Sequence, residues 1–199
     1  MNPSDQSALQ HFARHPVLRT QEALELGIHP RTLYALRDSG QIEQLSRGLF
    51  TLTEGVPLAH PDLVIVAQRV PQAIIATISA AAFHDLTTQI PNAVHIALPA
   101  FRHAPALDFP PLELYRVSEP AYSAGVEEYI LDGVTVSIYG PEKTVADLLK
   151  FRNRVGLDVA MEVLKRYLAR RDRKLERLLH YAEVDRVAGV LRPYLEALV

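Results

Sequence analysis

Arg31, Thr32, Tyr34 and Arg37 crowd together directly behind Pro30, and Arg19 and Arg47 flank them along the chain. These residue types do recognition chemistry rather than bond-breaking chemistry. A guanidinium is planar, permanently charged and forked, so it can meet two acceptors on a guanine edge at once or grip a phosphate. A threonine hydroxyl or a tyrosine phenol donates and accepts a single bond beside it. The side-chain sets needed for covalent work are missing from the pattern. Cysteine is absent, and there is no Gly-rich phosphate loop, serine nucleophile elbow or paired-carboxylate signature, so the chain reads as a non-enzyme that calls for no cofactor.

The elements that must position these side chains lie between Leu18 and Leu52. Thr20 is expected to cap a short helix whose apolar side is Ala23, Leu24 and Leu26, and Gly27 ends it because a tight turn needs positive φ without steric cost. Pro30 suits the first turn of the next helix, where its missing N–H costs nothing. Ile28, Leu33 and Leu36 then face a core, which turns Arg31, Thr32, Ala35 and part of Tyr34 outward near the helix start. Gly40 closes this helix. Gln41 to Leu45 alternates polar and apolar like a half-buried strand, Ser46-Arg47-Gly48 turns, and Leu49 to Leu52 returns, leaving Arg47 at a hairpin tip. Helix, turn, helix and hairpin in this order are a winged helix-turn-helix, and DNA is the first partner it points to. Arg31, Thr32 and Tyr34 are the candidates for base edges, with Arg19, Arg37 and Arg47 on phosphates. The same element order also serves as a protein-docking module, which stands as the alternative.

Charge narrows the kind of binding. The net charge is −2 over 199 residues with a pI near 6.4, which disfavours a chain that coats nucleic acid indiscriminately. Residues 1–55 hold five Arg against six acids, so a basic footprint there must be local to the second helix and the hairpin. Residues 56–140 hold three Arg against eight acids, whereas 141–180 hold eleven Lys or Arg against six. No run of about 18 apolar residues exists to span a bilayer, and the polar start Met1-Asn2-Pro3-Ser4-Asp5-Gln6 lacks a basic region followed by an apolar stretch. A cytoplasmic protein that does not engage a membrane is expected.

The fold class is α+β, with an N-terminal winged helix-turn-helix over 1–56 and a mixed α/β domain over 57–199 that ends in a helical part. Ser4 is expected to cap a supporting helix through Ala13, with Ala8, Leu9 and Phe12 at helical spacing. Glu54 to Pro57 reads as a linker. Pro61 to Arg69 is apolar over most of its surface and predicts a buried helix, and Thr77 is placed as the cap of a small-residue helix. Strands are expected between about 73 and 139, at Ala73–Ala76, Val94–Leu98, Leu112–Val117, Glu128–Leu131 and Val134–Tyr139. Asp132-Gly133 joins the last two, since both central positions of such a turn want positive φ. The proline-rich stretch 99–111 reads as a surface loop. Helices follow from about 141 to 199, with Val145, Leu148 and Leu149 on one apolar side, a second helix from Leu157, a third around Leu175–Ala182, and a last one broken near Pro193.

Two further constellations carry charge. Glu142, Lys143 and Asp147 at the start of a helix read best as structural, because acids suit a helix N-terminus and Lys143–Asp147 is an i, i+4 pair. Lys143, Lys150, Arg152, Arg154, Lys165 and Arg166 together define a candidate second nucleic-acid surface, set against the plainer reading of a solvated helix face. Arg170 to Lys174 is a basic run between helices. His11 and His15 have helical ligand spacing, but Arg14 between them repels a cation, so no metal site is expected.

The helix-turn-helix, followed by ATISAAAFHDLTTQIPNAVHIALP at 76–99 and YGPEKTVADLLKFRNRVGLDVAMEVLKRYL at 139–168, resembles the AbiEi antitoxins of type IV toxin–antitoxin systems. The likeness runs over most of the chain and is most specific in Pro-Glu-Lys-Thr-Val-Ala-Asp and Arg-Asn-Arg-Val-Gly-Leu-Asp. It implies an N-terminal winged helix that represses its own operon at promoter inverted repeats, and a C-terminal domain that carries the antitoxin activity. It also implies a nucleotidyltransferase-like toxin that the antitoxin opposes without forming a stable complex. One recognition helix reads few base pairs, so a homodimer, or monomers binding cooperatively to half-sites about 34–36 Å apart, is expected. A nucleic-acid-processing enzyme on the same scaffold is the remaining rival.

Overall fold

Ala8 and Phe12 stand one turn apart on the first helix, α1 (Pro3–Arg14), and both are buried. In the computed structural model, which describes residues 3–103 and 106–198, this helix begins at Pro3, so Ser4 lies inside its first turn and does not cap it. There follow β1 (Val17–Arg19), α2 (Thr20–Glu25), α3 (Pro30–Asp38), β2 (Ile42–Ser46) and β3 (Leu49–Leu52). The strands form one antiparallel sheet in the order β1-β3-β2. β1 is not visible to sequence periodicity, because three residues cannot show an alternation. Its pairing partner, with Leu18 opposite Phe50, is what defines it.

Ile28, Leu33 and Leu36 are buried as their spacing requires, together with Ala23, Ile42 and Phe50 in a single apolar cluster. Gly27 takes φ +79° between α2 and α3, the left-handed turn expected of it. Thr20 does not cap α2, since the capping position falls on Arg19, whose backbone N–H donates to Glu22 Oε2 at 2.8 Å. Thr20 is instead bound to the hairpin turn. Its backbone N–H donates to Gly48 O at 2.9 Å and its hydroxyl to the same oxygen at 3.3 Å.

Gly48 has φ +72°, and a Cβ built there would sit 3.2 Å from Thr20 Oγ1. Gly48→Ala is therefore expected to cost about 1–2 kcal/mol from the left-handed conformation, with the crowding added. A fall in the urea midpoint at unchanged slope would show it.

The chain divides into two compact units, Met1–Pro71 with Ile130–Thr135, and Gln72–Tyr129 with Val136–Val199. The boundary expected at residue 56 thus falls inside the first unit. That unit takes in α4 (Pro61–Arg69), whose Val64, Ile65 and Val66 are buried as foreseen. Asp132 accepts from Ala59 N at 3.2 Å and from His60 N at 3.4 Å, at the start of α4. It and Gly133 both have positive φ, +50° and +79°, the turn geometry their sequence called for.

The second unit contains β4 (Ile74–Ile75), α5 (Thr77–Phe83), β5 (Val94–Pro99), β6 (Leu112–Val117), α6 (Glu119–Ser123) and the larger parts of β7 (Val126–Leu131) and β8 (Val134–Tyr139), whose ends at the connecting turn belong to the first. Residues 104–105 of the expected proline-rich loop lie outside the described residues. The sheet order is β6-β5-β4-β8-β7, mixed because β4 pairs antiparallel with β5 but parallel with β8. Ala76, not Thr77, is the capping residue of α5. Thr77 adopts φ +43° in the first turn, and its buried hydroxyl lies 2.9 Å from His95 Nδ1.

The chain then turns helical: α7 (Pro141–Lys150), α8 (Arg152–Val155), α9 (Leu157–Ala169), α10 (Leu175–Val184) and α11 (Ala188–Leu198). Contrary to expectation, α11 runs through Pro193. The break falls at Asp185–Val187, where Arg186 takes φ +60°.

The expected one-sided burial of α7 also differs. Every residue from Glu142 to Leu149 is buried, because α5, α9 and α10 all pack against this helix. Its charges are neutralised internally. Lys143 Nζ donates to Asp147 Oδ1 at 2.5 Å and to Asp185 Oδ2 at 2.9 Å, and Lys150 Nζ donates to Asp185 Oδ1 at 3.0 Å. Asp147 Oδ2 is buried without a partner. Burial pushes the Asp147 carboxyl up from its ordinary 3.8 to about 7, against the pull of Lys143.

A carboxyl that binds its proton more tightly folded than unfolded favours the folded state below about pH 4 and loses that contribution as pH rises towards 7. Stability should therefore fall between those limits in the wild type. In Asp147→Asn that slope should flatten, as measured by urea denaturation at several pH values.

Candidate nucleic-acid interface

α3 presents two unlike sides. Leu33 and Leu36 lock one into the core, while Arg31, Tyr34 and Ala35 are exposed on the other and Thr32 is half-buried. His29 caps the helix, its Nδ1 accepting from the Arg31 backbone N–H at 3.1 Å. Asn, Asp, Ser and Thr are the usual caps, so a histidine there escapes sequence rules. Among the described residues no hydrogen bond or ion pair holds the Arg31 side chain. A guanidinium in the first turn of a helix, free and exposed, can reach an external pair of acceptors without first breaking an internal bond.

Tyr34 is 46% exposed and makes an edge contact with Phe50, ring centroids 6.5 Å apart. Arg37 lies over its ring at 5.0 Å and pairs with Asp38 Oδ1 at 2.8 Å. Arg37 is thus partly neutralised and anchors Tyr34. Arg47 is exposed at the hairpin turn, where its carbonyl accepts from Arg69 Nη1 at 2.6 Å. Arg19 is half-buried beside the start of α2. All six expected contact residues fall in the first unit, on α3, the end of β1 and the hairpin turn.

The second expected surface does not hold together. Lys143 cannot belong to a surface, since its side chain is completely buried between two aspartates. Lys150 shares that network, with its side chain only 25% exposed. Arg152 donates to Leu149 O at 2.8 Å and so closes the end of α7. Arg154 is paired with Glu113 and stacks over Tyr115 at 4.3 Å. Lys165 and Arg166 are exposed on α9, with Arg166 paired to Glu162 at 3.1 Å. These residues read as internal ties plus a solvated face, because five of the six are engaged within the unit.

Two other polar groups in this unit are held by burial. His84 Nε2 lies 2.8 Å from Tyr139 O, and burial lowers its pKa from the ordinary value. Burial also raises that of the Tyr167 phenol, whose O–H donates to Glu142 Oε1 at 3.0 Å. Among the described residues no group of three or more His, Asp or Glu side chains could hold a metal ion, and no helix is long and apolar enough to cross a membrane.

Residues 6–53 match the family described as transcriptional regulator, AbiEi antitoxin. That span coincides with α1 through β3, so the resemblance carried by the helix-turn-helix holds there, and the segments 76–99 and 139–168 lie outside it. The chain is also similar in structure to the RV2827C protein from Mycobacterium tuberculosis, at 15% identity with a TM-score of 0.54 over 95% of this chain and 79% of that one. At that identity the likeness is one of fold. No curated protein matches the chain in sequence.

Proposed function

We propose that this chain, which carries the AbiEi antitoxin regulator segment at residues 6–53, is the antitoxin of a type IV toxin–antitoxin system and represses its own operon. In this reading α1 to β3 form a winged helix-turn-helix. The start of α3 enters the major groove of promoter DNA, and the β2–β3 turn follows the backbone. The observation that carries it is Arg31, exposed and unpartnered in the first turn of a helix whose opposite side is fixed by Leu33 and Leu36. Thr32 and Tyr34 flank it, while Arg19, Arg37 and Arg47 supply backbone contacts.

Two copies, as a homodimer or as cooperative monomers, read an inverted repeat. The second unit carries the antitoxin activity against a nucleotidyltransferase-like toxin in the cytoplasm, without a stable complex and without an enzymatic step of its own.

A gel shift with the duplex immediately upstream of the chain's own coding sequence tests the repressor half. The expected result is retardation of that duplex at protein concentrations that leave a shuffled duplex of the same length free. Equal affinity for both would overturn sequence-specific repression. Co-expression with the neighbouring toxin gene tests the other half, with growth restored by the wild-type chain.

A further inference from the structure

We propose that Arg19, Arg47 and Arg69 form a seat for one phosphate group at the root of the hairpin turn, occupied by a backbone phosphodiester when duplex DNA is bound. The assignment of the occupant rests on the DNA-binding reading above. The three arginines, with Thr20, Gly48 and Gln68, line a cavity of about 350 Å³ in the first unit, and no aspartate or glutamate lines it. Elsewhere Arg37, Arg154, Arg166, Arg170 and Arg177 each pair with a carboxylate. Among the described residues none of these three guanidinium groups does so.

Three uncompensated cations around one concavity repel each other, and an anion placed between them removes the repulsion. The polar atoms of Thr20 are spent on Gly48 O, so the guanidinium groups are the free donors. Arg69 is the informative member. Its Nη1 donates to Arg47 O at 2.6 Å, which holds the turn to α4, while its Nε is buried with no partner. A buried N–H of a charged group without an acceptor is costly, and a small turn of the guanidinium towards the cavity would let it meet a ligand oxygen. Forked donors pair with phosphate oxygens bidentately, and a tetrahedral group offers oxygens to more than one arginine at once. The place fits a phosphodiester, because the first helix of a helix-turn-helix crosses the DNA backbone. Arg69 lies outside residues 6–53, so the seat extends the interface beyond the segment shared with the family.

The test uses the full chain and the upstream duplex, with affinity measured across a salt series for wild type, Arg69→Gln and Arg69→Lys. A phosphate contact contributes close to one unit to the slope of log affinity against log salt. Arg69→Gln is expected to lower the slope by about 1 and to weaken binding roughly 5-fold at 0.15 M salt, with Lys restoring the slope. If Arg69 merely tied the turn in place, affinity would fall with the slope unchanged, and that result overturns the seat. It would leave the repressor reading intact wherever Arg31→Ala still relaxes sequence preference.

If the wild type binds no DNA, the repressor reading fails separately, and titration with inorganic phosphate decides the seat. A saturable shift of the Arg69 side-chain NH resonance that disappears in Arg19→Gln upholds it, and no shift overturns it.

Discussion

Lys143→Met is expected to destabilise the chain by about 3–5 kcal/mol, the usual cost of removing one partner from a buried ion pair. The methionine stem replaces the lysine stem in nearly the same volume, so the loss falls on the charge. Without the ammonium, Asp147 keeps only the more distant charge of Lys150 and its Oδ1 joins Oδ2 without a hydrogen-bond partner, while Asp185 keeps only Lys150. The Tyr139 ring, 4.5 Å from Lys143 Nζ, also loses its cation. Urea denaturation at pH 7 is the measurement.

Two controls tie the loss to an unpaired buried charge. Lys143→Met combined with Asp147→Leu should recover most of the lost stability, since an apolar pair of similar size often matches a buried ion pair. The single variant should also approach wild type more closely in acid, where Asp147 becomes neutral. A drop below 1 kcal/mol would mean that Lys143 is not the charge that neutralises these carboxylates. Nucleic-acid affinity per folded molecule should not change, because no part of Lys143 reaches solvent.

Arg31→Ala should relax sequence preference. A bidentate arginine on a guanine discriminates by about 1–3 kcal/mol, so the ratio of upstream-duplex to shuffled-duplex affinity should fall by roughly 5- to 150-fold. Folding stability should stay within about 0.5 kcal/mol of wild type, since the side chain is exposed and makes no internal bond. Arg47→Ala should differ in kind, weakening both duplexes alike and reducing the salt slope. In co-expression both variants should still relieve the toxin if the two functions reside in separate units, and loss of relief in Arg31→Ala would contradict that separation. An unchanged preference in the Arg31→Ala, Arg47→Ala double variant would remove α3 and the hairpin as the reading surface.

Legibility along the chain follows the range of the interaction involved. The Leu33–Leu36 spacing, Pro30 in the first turn of α3, Gly27 between the helices and the Asp132-Gly133 turn were all readable, because each is a demand that neighbouring residues place on φ or on one side of a helix. Arg31 was readable for the same reason, since burying Leu33 and Leu36 turns it outward. β1 was not, because a three-residue strand exists only through its pairing with β3. Lys143 was half legible. Its i, i+4 relation to Asp147 is local, but Asp185, which completes its neutralisation, lies 42 residues away. On a local reading the lysine belonged to a basic surface, whereas the packing of α5, α9 and α10 around α7 puts it in the core. Arg69 looked like the last residue of a buried helix, and only the approach of Arg47 shows what it holds.

The sequence by itself determined the order of helices, turn and hairpin, the apolar side of α3, the free arginine opposite it and the near-neutral charge that keeps any DNA contact local. Those features depend on backbone preference and periodicity, which act over a few residues. The tertiary structure decided which charges meet solvent. It buried Lys143, engaged Lys150 and Arg154 internally, and left Arg19, Arg47 and Arg69 facing one cavity without a carboxylate. Whether a charge is neutralised depends on what stands within a few ångströms of it, and in a folded chain those neighbours come from distant segments.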